Sequence, residues 1–258
     1  AIRGLLELLM RTNLSDLKKF YETNLGQMAC SIIQKQIRSL WPCLNNQNLL
    51  GLGYTLPYLS KFSDEASQII SAIPGSQKEI KWHDDKLNLT TIIEELAFPF
   101  CDLSISKILI IHAAEYSAQI NPFLREIWRI LDNNGKLIIV IPNRRGIWAR
   151  FEHTPFGQGR PYSFEQLNTL LQNNMFNPIN TRWAICAPPV NSKFVLSTAT
   201  SLEKISSGIF SHFAGIIIVE AEKKNLCWDT LNYNKTFTTN FCSSSIKKFT
   251  TGNFSTFN

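Results

Sequence analysis

Two unbroken apolar runs constrain this chain more than any other feature. Lys107-Ile-Leu-Ile-Ile111 and Lys136-Leu-Ile-Ile-Val-Ile141 show no polar alternation after their first residue. A strand with one wet face alternates, so these two read as strands covered on both faces. Between them, Pro122–Leu131 places Phe123, Leu124, Ile127, Ile130 and Leu131 at helical spacing. Strand, helix and strand in that order form a crossover unit. It predicts an α/β fold with a parallel sheet and helices on both faces. Asn133-Asn134-Gly135 predicts the helix end, with a residue there that tolerates a left-handed backbone.

The flanking chain extends this pattern. Leu14–Leu40 reads as one helix, capped by Ser15 and stopped by Pro42. Asn48–Gly53 reads as a strand running into a glycine turn, with a helix from Pro57 to Phe62. Gln68–Ile73 and Thr90–Ile93 are short apolar or β-branched runs. Ser163 and Gln166 form a capping-box pair for a helix over Ser163–Leu171. Trp183–Ala187 and Gly215–Ala221 read as late strands. Residues 225–258 turn to Asn, Ser, Thr and Phe without periodicity, which predicts a loosely ordered tail. The expected organisation is a stub over 1–13, one domain over 14–224, and the tail.

Composition narrows the function classes. Of 258 residues, 44% are hydrophobic and 18% charged, which excludes intrinsic disorder. The formal charge of +6 permits an anionic substrate or RNA and demands neither. Six cysteines form no C-x-x-C pair and four histidines are scattered, so no metal site is expected. The thiols read as small apolar fillers in a reducing compartment. No apolar run nears the roughly 20 residues of a membrane helix, so no membrane partner is expected. No signal-peptide pattern is present either, and the expected location is cytoplasmic.

Open α/β sheets bind ligands outside the carboxyl ends of their strands. Three segments fall there. Gly51-Leu-Gly53-Tyr54-Thr55-Leu56-Pro57 is a strand–glycine–helix turn. Such a turn brings backbone N–H groups to a ligand, or packs helix on sheet. Leu56 stands where the dinucleotide fingerprint needs a third glycine, which disfavours NAD. His112 ends the Ile108–Ile111 strand, with Glu115 one turn on. An imidazole there suits a general base. Asn143–Ser163 follows the next strand and holds Arg144, Arg145, Arg150, His153 and Arg160 among Trp148, Phe151, Phe156 and Tyr162. Guanidinium groups grip anions bidentately and aromatic rings stack flat molecules. This predicts a substrate-covering lid that binds through Asn143, the four arginines, His153 and Tyr162. A solvated loop or an oligomer contact is the alternative.

Phe98-Pro-Phe100-Cys-Asp102 leads into the first apolar strand, and Arg125-Glu126-Ile-Trp-Arg129-Ile-Leu131 precedes the second, which ends at Pro142-Asn143. This resembles the class I S-adenosylmethionine-dependent methyltransferases, in their type 11 small-molecule form. The resemblance is strong over about 92–143 and weaker over 48–91 and 163–222. A closer resemblance is to methyltransferase-like proteins of alphaproteobacteria without a settled substrate. It rests on Phe20-Tyr21, Leu25-Gly26, Gly51-Leu-Gly53-Tyr54 with Pro57-Tyr58, Pro142-Asn-Arg-Arg-Gly-Ile-Trp-Ala-Arg150, Glu152, Thr154-Pro-Phe-Gly157 and Gly159-Arg-Pro-Tyr-Ser163.

The resemblance implies a Rossmann-like, seven-stranded, mostly parallel sheet and S-adenosylmethionine as cofactor. It implies Gly51, Gly53, Tyr54, Glu94, Glu95 and His112 as cofactor contacts, and His112 and Glu115 as the catalytic candidates. The chain also departs from the family. Gly51 stands where an acid is usual, and Thr55 and Pro57 replace the next two glycines. Ala72-Ile-Pro74 occupies the place of the ribose-binding acid, and Ser106 replaces an Asp. Glu94 or Glu95 could stand in for the acid that contacts adenine.

Methyl transfer from a sulfonium needs alignment more than acid–base machinery, so the acceptor is not readable from catalytic residues. The leading expectation is methyl transfer to a small or anionic acceptor. The alternatives are a catalytically degenerate binding or assembly protein, and an RNA or protein methyltransferase. Ile111-His-Ala-Ala lacks the Asn/Asp-Pro-Pro-Tyr type of signature and argues against base-amine methylation. Oligomeric state is not readable.

Overall fold

The structure is a computed structural model that describes residues 14–74, 90–94, 96–190 and 213–224. The chain divides into units 1–224 and 225–258, and all described residues belong to the first. The expected stub, the expected tail and Glu95 lie outside the described residues.

Among the described residues, seven strands form one sheet: β1 Asn48–Gly53, β2 Gln68–Pro74, β3 Thr90–Ile93, β4 Ile105–Ile111, β5 Leu131–Pro142, β6 Phe176–Ala184 and β7 Ile216–Lys223. Their order is β3-β2-β1-β4-β5-β7-β6. β3, β2, β1, β4 and β5 pair in parallel, while β7 runs antiparallel to both β5 and β6. The helices are α1 Leu14–Glu22, α2 Asn24–Leu40, α3 Leu56–Leu59, α4 Ile120–Ile130 and α5 Phe164–Asn173. None among the described residues is long and apolar enough to cross a membrane.

Both faces of the sheet are covered, as the unbroken apolar runs require. Leu109, Ile111, Ile138 and Val140 face α1 and α2, meeting Leu17, Ile33 and Ile37. Ile108, Ile110, Leu137 and Ile139 face the other way, toward Phe123 and Ile127 of α4 and Leu167 of α5. The strand order turns outward in both directions from β1 and β4. Their carboxyl ends therefore flank the crevice where such sheets bind ligands.

Three local expectations are corrected. The helix expected over 14–40 is broken at Thr23, whose side chain accepts from the Gly26 N–H at 3.0 Å and caps α2. Gly26 lies against the Phe20 carbonyl where no Cβ fits, so the corner itself requires glycine. Next, α4 ends at Ile130, and Asp132-Asn133-Asn134-Gly135 belongs to β5. Gly53 and Gly159 are the described glycines with positive φ, so Gly135 is not left-handed. Pairing of Ile105 with Leu131 and donation from Lys223 Nζ to the Leu131 carbonyl at 2.7 Å draw the chain into the sheet early. Lastly, β6 starts at Phe176, well before the expected Trp183. It is an edge strand with Asn177 exposed and a register shift at Pro178, so no apolar run marks it.

The helix signature Glu126-Ile-Trp-Arg129 is a staple. Arg129 donates to the Phe98 and Phe100 carbonyls at 2.9 Å each, to Asp102 at 2.6 Å and to Glu126 at 2.8 Å. Glu126 in turn accepts from the Phe98 N–H at 3.0 Å. The network ties the loop before β4 onto α4. Hydrogen bonds from Arg129 hold the Glu126 carboxyl below its ordinary range. A depressed carboxyl stabilises the fold above its ordinary titration range, and that contribution fades as pH falls through the lowered value. Arg129→Met is expected to cost about 2 kcal/mol at neutral pH. In urea melts, the gap to wild type should narrow on acidification; a gap that widens would remove this role.

Candidate functional site

Three chain segments meet at the carboxyl edge of β1 and β4. The first is the β1 turn. Gly53 has φ +89°, and the Tyr54 N–H donates to the Ile111 carbonyl at 2.9 Å. A Cβ on Gly53 would fall onto that carbonyl oxygen and within 2.9 Å of Ala113 Cβ. Gly51 is covered in the same way by Thr55 and Leu59. Both glycines serve close packing of the turn. The Tyr54 ring stacks on Tyr21 of α1, with centroids 5.1 Å apart and planes at 18°. Burial pushes the Tyr54 phenol up to about 12.

His112 and Glu115 form the second segment, and the structure brings them together. His112 takes φ +53°, a left-handed conformation uncommon for a non-glycine residue. Its Nδ1 is 3.0 Å from Glu115 Oε1, and both side chains are 1% exposed. The other ring nitrogen, Nε2, lies 2.9 Å from the Tyr21 hydroxyl, which accepts from Tyr58 of α3 at 2.9 Å. Among the described residues, Glu115 Oε2 is buried without a hydrogen-bond partner. Burial raises the Tyr21 and Tyr58 phenols well above their ordinary value.

The third segment, Asn143–Ser163, is folded onto this edge more firmly than a lid requires. Trp148 and Phe156 are 1% exposed and Tyr162 is 8% exposed. Phe156 packs on the His112 ring at 4.9 Å and on Trp148 at 5.5 Å. Asn143 is buried: its Nδ2 donates to the Ala214 carbonyl at 2.8 Å and its Oδ1 accepts from the Arg145 N–H at 3.1 Å. The Arg160 N–H donates to the Glu115 carbonyl at 2.8 Å. Of the expected stacking aromatics, only Phe151 is exposed. Arg144, Arg145, Arg150, His153 and Arg160 are exposed along the segment.

The remaining expected residues are spread out. Glu94 is exposed beyond β3 and bridges to Ala97, while Glu95 is outside the described residues. Tyr21 and Tyr58 stand in the runs that carry the resemblance, and no site role was expected of either. Both fall at core spacing in the sequence. Their hydroxyls were the available signal, because a buried phenol must find a partner. Tyr21 and Tyr54 also wall a cavity of about 330 Å³ whose other side is α2, including Cys30, Ser31 and Gln34. That volume is at the lower end for small-molecule sites. Burial raises the Cys30 thiol to about 11.

No family model matches the chain, and no curated protein matches it by sequence. Solved structures do match by fold. An S-adenosylmethionine-dependent methyltransferase from Archaeoglobus fulgidus aligns at 16% identity and TM-score 0.56, over 80% of this chain and 97% of its own. One from Thermotoga maritima aligns at 13% identity and TM-score 0.57, over 82% and 96%. A chain of the complex between the Haloferax volcanii Trm112 methyltransferase activator and its methyltransferase aligns at 15% and 0.57, over 81% and 98%. The chain therefore has the Rossmann-like class I methyltransferase fold.

Proposed function

We propose that this protein is an S-adenosylmethionine-dependent methyltransferase acting on a small or anionic acceptor. The observation that carries the reading is the meeting of the β1 turn, His112–Glu115 and the Asn143–Ser163 segment at one carboxyl edge of this fold. The fold likeness to methyltransferases supports the reading. The finer kinship with alphaproteobacterial methyltransferase-like proteins belongs to the same proposal, on the sequence runs quoted above.

The described residues fit one end of the cofactor. The unpartnered buried oxygen of Glu115 is an acceptor suited to the ammonium of its methionine part. Tyr54 supplies an aromatic wall to the cavity that Tyr21 also lines. When bound, the cofactor supplies an activated methyl group, and the chain's task is to align the acceptor. The exposed arginines beside the edge favour an acceptor with a carboxylate or phosphate.

A second reading, a degenerate binding or assembly protein, has its own observation. Packing atoms fill the space beside both glycines of the β1 turn. Among the described residues, Ser71, Ala72 and Ile73 bring no carboxylate to the end of β2. Titration calorimetry with S-adenosylmethionine and with its demethylated product decides between them. Saturable binding is expected. No heat at millimolar ligand would overturn the enzyme reading.

A further inference from the structure

The His112–Glu115 pair does not end at the imidazole. Glu115, His112, Tyr21 and Tyr58 form one chain of hydrogen bonds of 2.9–3.0 Å. They come from the turn after β4, from α1 and from α3, and all four residues are buried. Their donors and acceptors fix a direction. The Glu115 carboxylate only accepts, so Nδ1 of His112 carries the hydrogen. In a neutral ring Nε2 is then the acceptor, and it is filled by the Tyr21 hydroxyl. The Tyr21 oxygen accepts from Tyr58. A hydroxyl oxygen has two acceptor positions, so one lone pair of Tyr21 remains open among the described residues.

Tyr21 is also the member of this chain that walls the cavity on α2. We propose that Tyr21 is a proton-relay residue: it takes a proton at its open lone pair from a molecule held in that cavity, and passes its own proton to Nε2 of His112. The resulting imidazolium keeps its Nδ1–H bond to Glu115, and Tyr58 holds the Tyr21 oxygen in place. No phenolate forms along the way, because burial raises both phenols well above neutral pH. The left-handed backbone of His112 aims the ring along this line and is strain of the kind kept at working sites. Among the described residues, Tyr54 of the β1 turn and Cys30 are the other titratable groups that act on the two phenols, and Lys18 and Glu22 line the cavity beside them. The inference rests on the methyltransferase reading for what fills the cavity. It narrows the acceptor to a molecule whose reacting atom bears a proton: a hydroxyl, an amine or a thiol.

Histidine-selective 15N NMR on the full chain tests this without substrate. His112 is assigned from the signals lost in His112→Asn. The expected result is a hydrogen on Nδ1 and none on Nε2. In Tyr21→Phe, which removes the hydroxyl from Nε2, the Nε2 signal should move downfield to that of a ring nitrogen without a hydrogen bond, while Tyr58→Phe keeps the tautomer. A hydrogen on Nε2 in the wild type overturns the relay. So does a wild-type Nε2 shift in a folded Tyr21→Phe. The tautomer is read on the wild type, so a misfolded variant leaves the test standing. Calorimetry with S-adenosylmethionine separates the two readings. No binding overturns methyl transfer and leaves the histidine spectra as they are. Binding together with a hydrogen on Nε2 overturns the relay alone.

Discussion

Gly53→Ala is expected to lower the melting temperature by about 10 °C, at about 2–4 °C per kcal/mol for a domain this size. Two costs add. The residue sits at φ +89°, where an L side chain is strained by about 1–2 kcal/mol. The new methyl also meets the Ile111 carbonyl oxygen, with Ala113 Cβ at 2.9 Å and the His112 carbonyl carbon at 3.0 Å. Overpacking of this kind costs about 1–3 kcal/mol. Backbone atoms of β4 cannot rotate away as a flexible side chain would. The displacement should therefore reach His112 and its bonds to Glu115 and Tyr21. Differential scanning calorimetry reads the first effect and the His112 15N shifts the second. An alanine variant that melts with the wild type would show that the turn relaxes without cost.

Trp148→Ala is expected to cost about 3–5 kcal/mol, the range for emptying a buried aromatic site. The indole is 1% exposed, and its Nε1–H donates to the Ala187 carbonyl at 2.7 Å. Its ring fills the space above Gly215, where a Cβ would come within 2.6 Å of Cδ1. It also stands edge-on to Phe156, which packs on His112. The variant loses this packing and leaves a buried carbonyl without its donor. Urea unfolding measures the loss, and a change under about 1 kcal/mol would mean that the segment is held to the sheet by other contacts. This matters for function. It separates an Asn143–Ser163 segment that is part of the core from one that opens as a lid.

Much of the fold was legible along the chain. The runs at Ile108–Ile111 and Leu137–Ile141 place every residue against one helical layer or the other. Serine and glutamine three residues apart marked the α5 capping box, and both of its bonds are present. Strand β6 was not legible in the same way, because an edge strand wets one side and shares no apolar run with its neighbours. The break at Thr23 was hidden by apolar spacing that continues through it. Its cause is the approach of Gly26 to the Phe20 carbonyl, a contact set by how the two helices meet.

The site divides along the same line. His112 and Glu115 could be paired from sequence, since they lie three residues apart just past a buried strand, at the edge where open α/β sheets bind ligands. The aromatic residues between Asn143 and Ser163 misled, because a Gly- and Pro-rich stretch resembles a loop whether its rings face water or core. By itself the sequence determined the covered parallel sheet, the carboxyl end of β4 and the two polar side chains that follow it. Apolar period and strand ends are local properties, readable one segment at a time. Only the tertiary structure decided that Tyr21 and Tyr58, far from His112 along the chain, complete the chain of hydrogen bonds. A hydroxyl finds its partner through space, and no spacing along the chain records which one it finds.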